Sequence, residues 1–374
     1  MKIFYIDPMS YNNLAVYDYN LLNNNKEFDI SLFGNINFSY KSIKGVTFYP
    51  LFRYSNKKKV MKLLSYLISL VKLLILILKN KPDVVHIQWI RAPFVDIIFI
   101  NLIKVFSKKT KILFTSHNVF PHNYSQWEKK QYIKYYKKVD CIITHSYNSK
   151  NELINKVGLR EEKIHVIFHG LLNYEIDKKV LEKEKNRLKA NYKLADKIII
   201  SSLGVQSKYK GTDKIVEYFS NRTDNNNYFL IIAGKNNDVD FTSIKNNKNI
   251  LIEDRYVSDE EFLAILKISD LVILPYRVIS QSGVLLTAIN ENVPVLVSDA
   301  GGLAEPLDFG KIGWKFTNND FQAFFNILDY LLENPDEIFH IKNNKIIWEK
   351  VKKNYNWEII QEKTFSLYKS IINA

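Results

Sequence analysis

The chain has 374 residues, of which 47% are hydrophobic and 25% charged, and its formal net charge is +14. This length predicts two domains, and the composition excludes a disordered or largely membrane-embedded chain. The basic excess indicates an acidic partner, which is nucleic acid, an anionic membrane or a phosphorylated substrate.

Short apolar runs alternate with helical stretches along the chain, which is the pattern of βαβ units on parallel sheets. In the first half the predicted strands are Ile3–Ile6, Phe28–Phe33, Val84–Ile87, Lys111–Thr115, Cys141–Thr144 and His165–Phe168. In the second half they are Ile198–Leu203, Phe229–Ala233, Ile250–Ile252, Leu271–Leu274 and Pro294–Val297.

The charged stretch Tyr174–Lys193 is helical in pattern, contains no strand candidate and separates the two series. We therefore expect an N-terminal domain over 1–173 and a C-terminal domain over 174–354. The last segment, 355–374, has apolar residues at helical spacing. Periodicity leaves open whether this helix packs on its own domain or returns to the first.

The start of the chain and its single cysteine bear on location. Lys2–Ile6 is strand-like and shows no apolar signal-peptide core. Cys141 lies in an apolar run, which indicates a buried free thiol and excludes an intramolecular disulfide framework. Both features lead us to expect a cytoplasmic protein.

The segment Lys57–Lys81 raises the question of membrane contact. Its centre, Leu63–Leu78, is nearly all apolar but shorter than the roughly 20 residues that a spanning helix needs. Polar residues at three-, four- or seven-residue spacing predict one polar helix face, formed by Lys62, Ser65, Ser69, Lys72 and Lys79. Two compatible interpretations follow, a helix packed on its sheet and a helix lying on a bilayer with lysines at its rim.

No acidic residue occurs between Asp29 and Asp83. The same interval is rich in basic residues, namely Lys41, Lys44, Arg53, Lys57, Lys58, Lys59, Lys62, Lys72, Lys79 and Lys81. Each basic group near an anionic leaflet contributes about 1 kcal/mol, so a handful holds a protein there reversibly. Nucleic acid is the weaker candidate, because the sequence has no zinc-ligand spacing, RNA-binding string or base-reading helix.

The segment Ser280–Ala288 follows the apolar run Leu271–Leu274 and has the small residues of a turn that begins a helix. Such a turn places unpaired backbone N–H groups and the positive helix end at the carboxyl edge of a sheet, where they bind phosphate. Gly283 allows close backbone approach, and Ser282 is a suitable helix cap. A plain capping turn has the same pattern, so both interpretations stay open.

The loop Gly204–Gly211 follows the run Ile198–Leu203 and carries Lys208 and Lys210 between its two glycines. Two ammonium groups at a sheet edge are suited to neutralise a departing diphosphate. On a lysine-rich chain the alternative is a pair of solvated loop lysines. The order and spacing exclude a Walker loop.

The loop Ser116–His122 follows Lys111–Thr115 and carries His117, Asn118 and His122. Ligands bind α/β sheets in the crevice at the carboxyl ends of the strands, so a histidine there faces a ligand site. A lone histidine is more often structural. Its neighbours Asn118 and His122 keep a functional role equally open.

These loops together resemble the family 4 glycosyltransferases of the GT-B fold. The matching strings are His117–His122 (H-N-V-F-P-H), Tyr209–Gly211 (Y-K-G), Arg255–Glu261 (R-Y-V-S-D-E-E), Gln281–Leu286 (Q-S-G-V-L-L) and Ser298–Glu305 (S-D-A-G-G-L-A-E). Each string is weak by itself. Their order and spacing indicate the superfamily but not a substrate.

The resemblance implies an α/β fold with two Rossmann-like domains facing each other across a cleft, and a C-terminal helix, 355–374, packing back on the first domain. It implies transfer of a sugar from a UDP- or GDP-linked donor to a glycan or polyprenyl-linked acceptor in cell-surface polysaccharide synthesis, with retention of anomeric configuration. The first domain would bind the acceptor and the second the nucleotide sugar. No cofactor or metal is expected, because a lysine and a helix N-terminus stabilise the pyrophosphate.

The resemblance also assigns roles to residues. Lys210, with Lys208 near it, matches the lysine that neutralises the diphosphate, and His117 would lie by the transferred sugar. The amides around Gly283 and Val284 would hold phosphate. The other substrate-binding candidates are Asn118, His122, Gly204, Tyr256, Val257, Gln281, Ser282, Leu285, Thr287 and Glu305, with Tyr256 and Val257 near the base.

The chain departs from the family pattern in two places. An arginine commonly stands one or three residues after the glycine equivalent to Gly204, where this chain has Val205 and Ser207. Many members carry two glutamates around the donor turn, where this chain has Ile279 and Thr287. These losses keep open a catalytically degenerate partner protein. A third possibility is a sugar-nucleotide epimerase of the same architecture.

Overall fold

The computed structural model describes residues 1–53, 59–121, 124–192, 194–222 and 227–373. The predicted site residue His122 and the basic residues Lys57 and Lys58 lie outside these ranges. The chain divides into two compact units, one formed by Met1–Gly170 with Asn356–Ala374 and the other by Leu171–Tyr355.

The first unit contains parallel strands connected by helices. The strands are β1 (Lys2–Ile6), β2 (Asp29–Asn35), β3 (Val46–Phe52), β4 (Val84–Ile87), β5 (Lys111–Ser116), β6 (Cys141–Thr144) and β7 (Ile164–Val166). The helices are α1 (Ala15–Leu22), α2 (Lys59–Asn80), α3 (Pro93–Phe106), α4 (Gln126–Lys138) and α5 (Tyr147–Val157).

The second unit repeats this alternation. Its strands are β8 (Ile198–Leu203), β9 (Tyr228–Ala233), β10 (Ile250–Glu253), β11 (Leu271–Leu274), β12 (Val295–Ser298) and β13 (Gly313–Phe316). Its helices are α6 (Lys178–Tyr192), α7 (Thr212–Ser220), α8 (Asp259–Ile268), α9 (Gly283–Asn290), α10 (Glu305–Phe309), α11 (Phe321–Glu333), α12 (Pro335–Asn343) and α13 (Lys345–Lys353). The last helix, α14 (Trp357–Asn373), belongs to the first unit.

Strand order reverses within each sheet. The first sheet has the order β3-β2-β1-β4-β5-β6-β7 and the second has β10-β9-β8-β11-β12-β13. Among the described residues, every strand pairing is parallel. The predicted class, two parallel-sheet α/β domains, is confirmed. The reversals, between β1 and β4 and between β8 and β11, are where such sheets open a ligand crevice.

The sequence pattern missed two strands, and both are edge strands. β3 contains Pro50, which lacks an N–H group and is tolerated at a sheet edge. β13 has only four residues and begins at Gly313. A Cβ atom at Gly313 would lie 1.9 Å from the carbonyl oxygen of Val295, so the close pairing with β12 requires glycine.

The first sheet is covered on both faces. On one face α2, α3 and α4 bury Leu73, Ile100 and Tyr135, among others, against the strands. On the other face α1 and α14 enclose a second cluster that includes Tyr368. Each fully buried aliphatic or aromatic side chain contributes about 1.5–3 kcal/mol, so these layers hold the site-bearing edge of the sheet in place.

Helix α2 corrects one prediction. The expected polar face is at least partly exposed except at Ser69, which is buried and donates a hydrogen bond to the carbonyl of Leu51, on β3, at 2.9 Å. Lys72 and Lys79 are exposed as expected. The serine lies where the helix crosses an edge strand, which offers polar backbone groups.

Candidate active site

The second unit gathers its predicted site residues in the loops after four strands. These loops follow β8, β10, β11 and β12 and begin with Gly204, Asp254, Pro275 and Asp299. Because all strands are parallel, the four loops lie at the same edge of the sheet. The loops after β8 and β11 flank the reversal of strand order.

Lys210 is held at the reversal. Its Nζ lies 5.2 Å from the centroid of the Tyr276 ring and 3.4 Å from the position that a Cβ atom would occupy at Gly204. The next residue, Gly211, has φ +70°, and a Cβ atom there would lie 2.1 Å from the carbonyl oxygen of Pro275. Burial lowers the pKa of Lys210 to about 8. The turn therefore keeps an ammonium group over an aromatic face at the sheet edge.

The start of α9 lies beside the same glycine. A Cβ atom at Gly204 would be 3.6 Å from Cγ2 of Val284, and Gly283 is exposed. The Ser282 hydroxyl caps the helix by accepting a hydrogen bond from the N–H of Leu285 at 3.2 Å. The N–H groups of Gly283 and Val284 precede the first intrahelical bond. The structure thus brings Gly204, Lys210 and the first turn of α9 together.

The loop before α9 is supported by the segment after β12. Gly301 has φ +57°, and a Cβ atom there would lie 1.9 Å from the carbonyl oxygen of Ile279. The Ser298 hydroxyl donates to the carbonyl of Tyr276 at 2.5 Å. The S-D-A-G-G string therefore fixes the turn that leads into α9, and Glu305 begins α10 just beyond it.

Arg277 fixes the turn that carries the lysine. Its guanidinium makes a bidentate pair with Asp213 at 2.7 and 2.8 Å and also donates to the carbonyl of Lys208. Its backbone N–H donates to the carbonyl of Tyr209 at 2.8 Å, and its carbonyl accepts from Asn318 at 2.9 Å. One arginine after β11 thus connects the loops that follow β8 and β13.

The loop after β10 presents an aromatic ring. Arg255 pairs with Glu261 through two bonds of 2.9 and 2.7 Å and with Glu253 at 3.1 Å, which fixes the loop. Tyr256 is 77% exposed, and Val257 is half-buried. An exposed aromatic side chain on a fixed loop is suited to stack on a planar base.

The remaining candidates of this unit have different surroundings. Lys208 is exposed, and its backbone N–H donates to Asp238 at 2.8 Å. Leu285 is buried, and the Thr287 hydroxyl is buried and donates to the carbonyl of Gly283 at 2.9 Å. Leu285 and Thr287 therefore stabilise α9 itself. Gln281 is half-buried and directly precedes the capping residue Ser282.

In the first unit, His117 follows β5 and has both ring nitrogens next to protein groups. Its Nε2 lies 3.1 Å from the side-chain amide of Gln88, and its Nδ1 lies 3.2 Å from Nε2 of His145. Its ring stacks on Trp89 with centroids 4.4 Å apart. Burial, with neighbouring histidines, lowers the pKa of His117 well below its usual range.

The hydrogen bonds determine the protonation of these rings. His145 Nδ1 donates to the carbonyl of Ile167 at 2.8 Å, because a carbonyl only accepts. Its Nε2 therefore carries no proton. The Oε1 of Gln88 only accepts, so His117 Nε2 donates to it and a neutral His117 carries its proton on Nε2. Burial lowers the pKa of His145 to about 3. His117 is therefore a fixed neutral ring and not a proton donor of imidazolium type.

The same network reaches α14. His86, at the end of β4, lies 2.7 Å from the Tyr368 hydroxyl through Nδ1 and 2.7 Å from the Thr115 hydroxyl through Nε2. Burial lowers the pKa of His86 to about 3. The last helix of the chain therefore helps to order the edge that carries His117.

Two buried carboxyl groups lie behind this edge. Asp7 follows β1 and hydrogen bonds with Asp18 of α1, and Asp18 also accepts from the Tyr5 hydroxyl at 2.8 Å. Burial raises the pKa of Asp18 to about 7 and that of Asp7 well above its usual range. Trp89, which stacks on His117, also donates to Asp7. Burial thus favours the protonated form of both carboxyl groups.

Sequence reasoning missed most of this network. Asp7, Gln88, Trp89 and His145 were not singled out, although each lies within two residues of a strand end, where site residues are expected. Of the residues that were, Asn118 offers its carbonyl to the Ser116 hydroxyl at 3.1 Å. Among the residues described, no three His, Cys, Asp or Glu side chains are grouped as metal ligands.

Two protein families match successive parts of the chain. Residues 39–171 match the family described as Glycosyltransferase Family 4. Residues 182–348 match the description Glycosyl transferases group 1. The matches fall on both units and include the three loops on which the resemblance was based.

Individual proteins are similar over most of the chain. An uncharacterized 41.2 kDa protein in the cps region of Klebsiella pneumoniae is 27% identical over 272 residues, 71% of this chain and 74% of that protein. Anabaena HepE, solved in complex with UDP-glucose, has a TM-score of 0.70 at 15% identity, covering 99% of this chain and 100% of that one. The lipopolysaccharide outer core galactosyltransferase WaaB has a TM-score of 0.67 at 16% identity, covering 98% and 99%. The structural likenesses show a shared fold.

Proposed function

This chain is a family 4-like glycosyltransferase of the GT-B fold, and on that premise we propose that it transfers a hexose from a UDP- or GDP-linked donor to a glycan or lipid-linked acceptor in cell-surface polysaccharide synthesis. The binding of UDP-glucose by HepE supports a nucleotide diphosphate donor, and the activity named for WaaB supports a cell-surface glycan as product.

The observation that carries the proposal is the convergence at Gly204. The Lys210 ammonium and the first turn of α9 approach this glycine from two loops. A cation and free backbone N–H groups together are suited to bind a pyrophosphate. They also stabilise the charge that develops on it when it leaves, and preorganised groups of this kind supply a large part of many rate enhancements.

The reaction follows from these groups. The bond between the anomeric carbon and the diphosphate oxygen breaks, and its electron pair remains on that oxygen beside Lys210. The acceptor hydroxyl forms the new bond to the anomeric carbon and gives up its proton to the departing diphosphate. We include retention of configuration in the proposal on the family resemblance, and we propose that Lys210 and α9 act without a metal ion or other cofactor.

Tyr256 supports a place for the base. Its exposed ring lies on a loop that the Arg255–Glu261 pair holds in position. We propose that the base stacks there, with Val257 beside it. His117, held neutral beside Trp89, is proposed to contact the transferred sugar through its ring edge and not to transfer a proton.

We further propose that the enzyme works in the cytoplasm, at the inner face of the cell membrane, where a polyprenyl-linked acceptor is embedded. The net charge of +14 and the acid-free interval from Asp29 to Asp83 support contact with anionic lipid.

A second candidate, a catalytically degenerate partner protein, is favoured by one observation. Thr287, which stands where relatives carry a glutamate, is buried and bonded within α9. Such a protein would retain the fold and bind another protein without turnover.

Thermal unfolding with UDP, GDP, UDP-sugars and GDP-sugars, each with and without EDTA, tests the proposal. A ligand at one hundred times its dissociation constant adds about 2.7 kcal/mol to the free energy of unfolding, a readily measured shift. We expect one base to stabilise the protein equally with and without EDTA. If none of the donors stabilises it, with or without acceptor, the degenerate partner becomes the better explanation.

A further inference from the structure

Helix α2 has two apolar faces, and only one of them is buried. Tyr66, Leu70, Leu73 and Ile77 pack into the core of the first unit. On the opposite side the exposed fractions lie between 48% and 60%, and the residues concerned are Met61, Leu64, Ile68, Val71 and Ile75. Their spacing of three or four residues aligns them in one stripe along the helix.

Helix α3 continues this surface. It packs beside α2, and the two helices are joined by a 2.6 Å hydrogen bond from the Tyr66 hydroxyl to Asp96. Phe94, Ile98 and Val105 are exposed and recur at helical spacing on its outer side. We call the two stripes together the outer apolar face: Met61, Leu64, Ile68, Val71 and Ile75 of α2, with Phe94, Ile98 and Val105 of α3.

Basic residues border the outer apolar face. Lys72 and Lys79 lie along α2, and both are exposed. Helix α4 packs on the other side of α3 and presents Lys130, Lys134 and Lys137 at helical spacing, all exposed. Because all three helices cover the same face of the sheet, their outer sides point in the same direction.

The acidic residues of these three helices are both engaged. Asp96 is buried and accepts from Tyr66 and from the backbone N–H groups of Arg91 and Ala92. Glu128 caps α4 through a reciprocal pair with Ser125. The charge that the three helices present to their surroundings is therefore positive.

The packing of α2 argues against its crossing a membrane. Among the residues described, Val60–Asn80 is the one helix long and apolar enough to span a membrane by length and composition, with a mean hydropathy of 2.2. Its inner face, however, is part of the packed core, so insertion would require that core to come apart. A helix that is apolar toward the outside, with lysines beside the apolar stripe, is typical of an interfacial position.

We propose that the outer apolar face, with its border of lysines, docks on an anionic phospholipid bilayer. The apolar side chains enter the boundary between headgroups and acyl chains, and the lysines contact acidic headgroups. A second copy of the chain fits less well, because an isologous contact through this face would place like-charged borders against each other. The docking needs no nucleotide sugar, so it stands or falls separately from the proposed reaction.

Co-sedimentation with lipid vesicles tests the proposal. We expect the protein to bind phosphatidylcholine vesicles that contain phosphatidylglycerol and to bind pure phosphatidylcholine vesicles much more weakly. Replacing Ile68, Val71 and Ile75 together by Ser is expected to lower the partition coefficient by roughly tenfold or more, because three apolar side chains leave the contact. Lys72→Glu with Lys79→Glu is expected to lower it by about tenfold or more on the anionic vesicles.

Variants on the second unit serve as controls. Lys245→Glu with Lys248→Glu changes the net charge equally at two exposed lysines, and Phe339→Ser with Ile346→Ser removes two exposed apolar side chains. We expect both controls to bind like the unaltered protein. Thermal unfolding checks that every variant is folded, which the exposure of the altered residues favours.

A spin label reports the position directly. The single cysteine, Cys141, is buried, and burial raises its pKa to about 12, so an introduced exposed cysteine is labelled in preference. A label at Ile68→Cys is expected to become accessible to dissolved oxygen and shielded from a water-soluble nickel chelate on anionic vesicles. A label at Ile346→Cys is expected to stay in water.

Three results would overturn the proposal. The first is unchanged vesicle binding by the triple serine variant, and the second is a label at position 68 that stays in water on bound protein. The third is a dimer in solution that the triple serine variant converts to monomer while the parent ignores anionic vesicles, which would make the face a contact between copies.

Discussion

The two sheets share the same reversal of strand order, but the side chains at the carboxyl ends of their strands differ in charge and bonding. The first fills its edge with His86 and His117, which both hydrogen bond with Gln88, and with His145, whose Nε2 lies 3.2 Å from Nδ1 of His117. Burial lowers the pKa values of all three and keeps them neutral. The second has a half-buried ammonium, and this group and the first turn of α9 both approach Gly204. The shared topology supplies the crevice, and the residues that follow each strand decide its charge.

This difference indicates that the two units are suited to recognise different chemical groups. A neutral edge of fixed rings is suited to contact uncharged groups by shape, whereas a cation with the N–H groups of a helix start recognises phosphate. On the proposed function, the pyrophosphate belongs to the second unit, and the first contributes contacts to uncharged sugar. Variants that alter charge should therefore have their largest effect on turnover in the second unit.

The largest expected effect is that of Lys210→Ala. We expect the transfer rate to fall by roughly 10²–10³-fold, as for removal of one preorganised donor to a developing anion. Since burial lowers the pKa of this lysine to about 8, the charge costs folding free energy at pH 7, and the melting temperature should not fall. Steady-state kinetics and thermal unfolding measure both.

Two further lysines refine this test. Lys208→Ala should reduce transfer less, because Lys208 is exposed, and Lys245→Ala should leave it unchanged. A rate in Lys210→Ala equal to that of the unaltered enzyme would remove Lys210 from the diphosphate site and weaken the contrast between the two edges.

The pH dependence of donor binding is the next largest effect. The ammonium form of Lys210 binds the pyrophosphate, so affinity should be full below pH 8 and fall above it, by up to about tenfold per pH unit. Calorimetric titration with the stabilising donor, from neutral pH upward, measures this. The Lys210→Arg variant keeps its charge as the pH rises, so the decline in affinity should disappear. Any titration of the nucleotide base itself would affect both proteins alike. A parallel decline in both would assign it to the base.

A smaller effect is expected at Arg277. Its guanidinium bonds Asp213 and the carbonyl of Lys208, so we expect it to act by positioning the turn that carries Lys210. We expect Arg277→Lys and Asp213→Asn each to lower kcat about tenfold. The double variant should lose little more than either alone, because both remove the same pair. Additive losses would show that the two residues act independently.

Much of this architecture could be predicted from the sequence, and the misses have physical causes. Interior strands such as β8 and β11 are continuous apolar runs, whereas the missed edge strands β3 and β13 carry Pro50 and Gly313. Lys210 was found because it lies between two glycines. Arg277 was not, because its role depends on Asp213, which is distant in sequence.

The polar network at the carboxyl edge of the first sheet could not be predicted from the sequence for the same reason. Gln88 and His145 lie far apart in the chain, and only the parallel pairing of β4, β5 and β6 brings them to either side of His117. Strand ends alone identified candidate positions, but not which ring nitrogen bonds to which neighbour. Burial and tautomer are properties of the assembled sheet edge.

The last prediction concerns the stability of the fold and the buried acids of the first unit. Burial raises the folded-state pKa of Asp18 to about 7, so Asp18 stabilises the fold when protonated, and this contribution is lost as pH rises toward 7. Asp18→Asn keeps the acceptor for Tyr5 and donates to Asp7. It should therefore raise the free energy of unfolding by about 2–4 kcal/mol at pH 8 and by much less at pH 4.

The buried histidines change stability in the opposite sense, since their lowered pKa values make the fold less stable as pH falls below 6.5. These histidines are present in both the unaltered protein and Asp18→Asn. The difference in unfolding free energy between the two proteins therefore reports the contribution of the Asp18 carboxyl group. Thermal unfolding at pH 8 and at pH 4 measures it, and Asp308→Asn, at an exposed acid, should change neither. An equal gain at both pH values would mean that Asp18 is not held protonated by burial, and the first edge would then carry charge like the second.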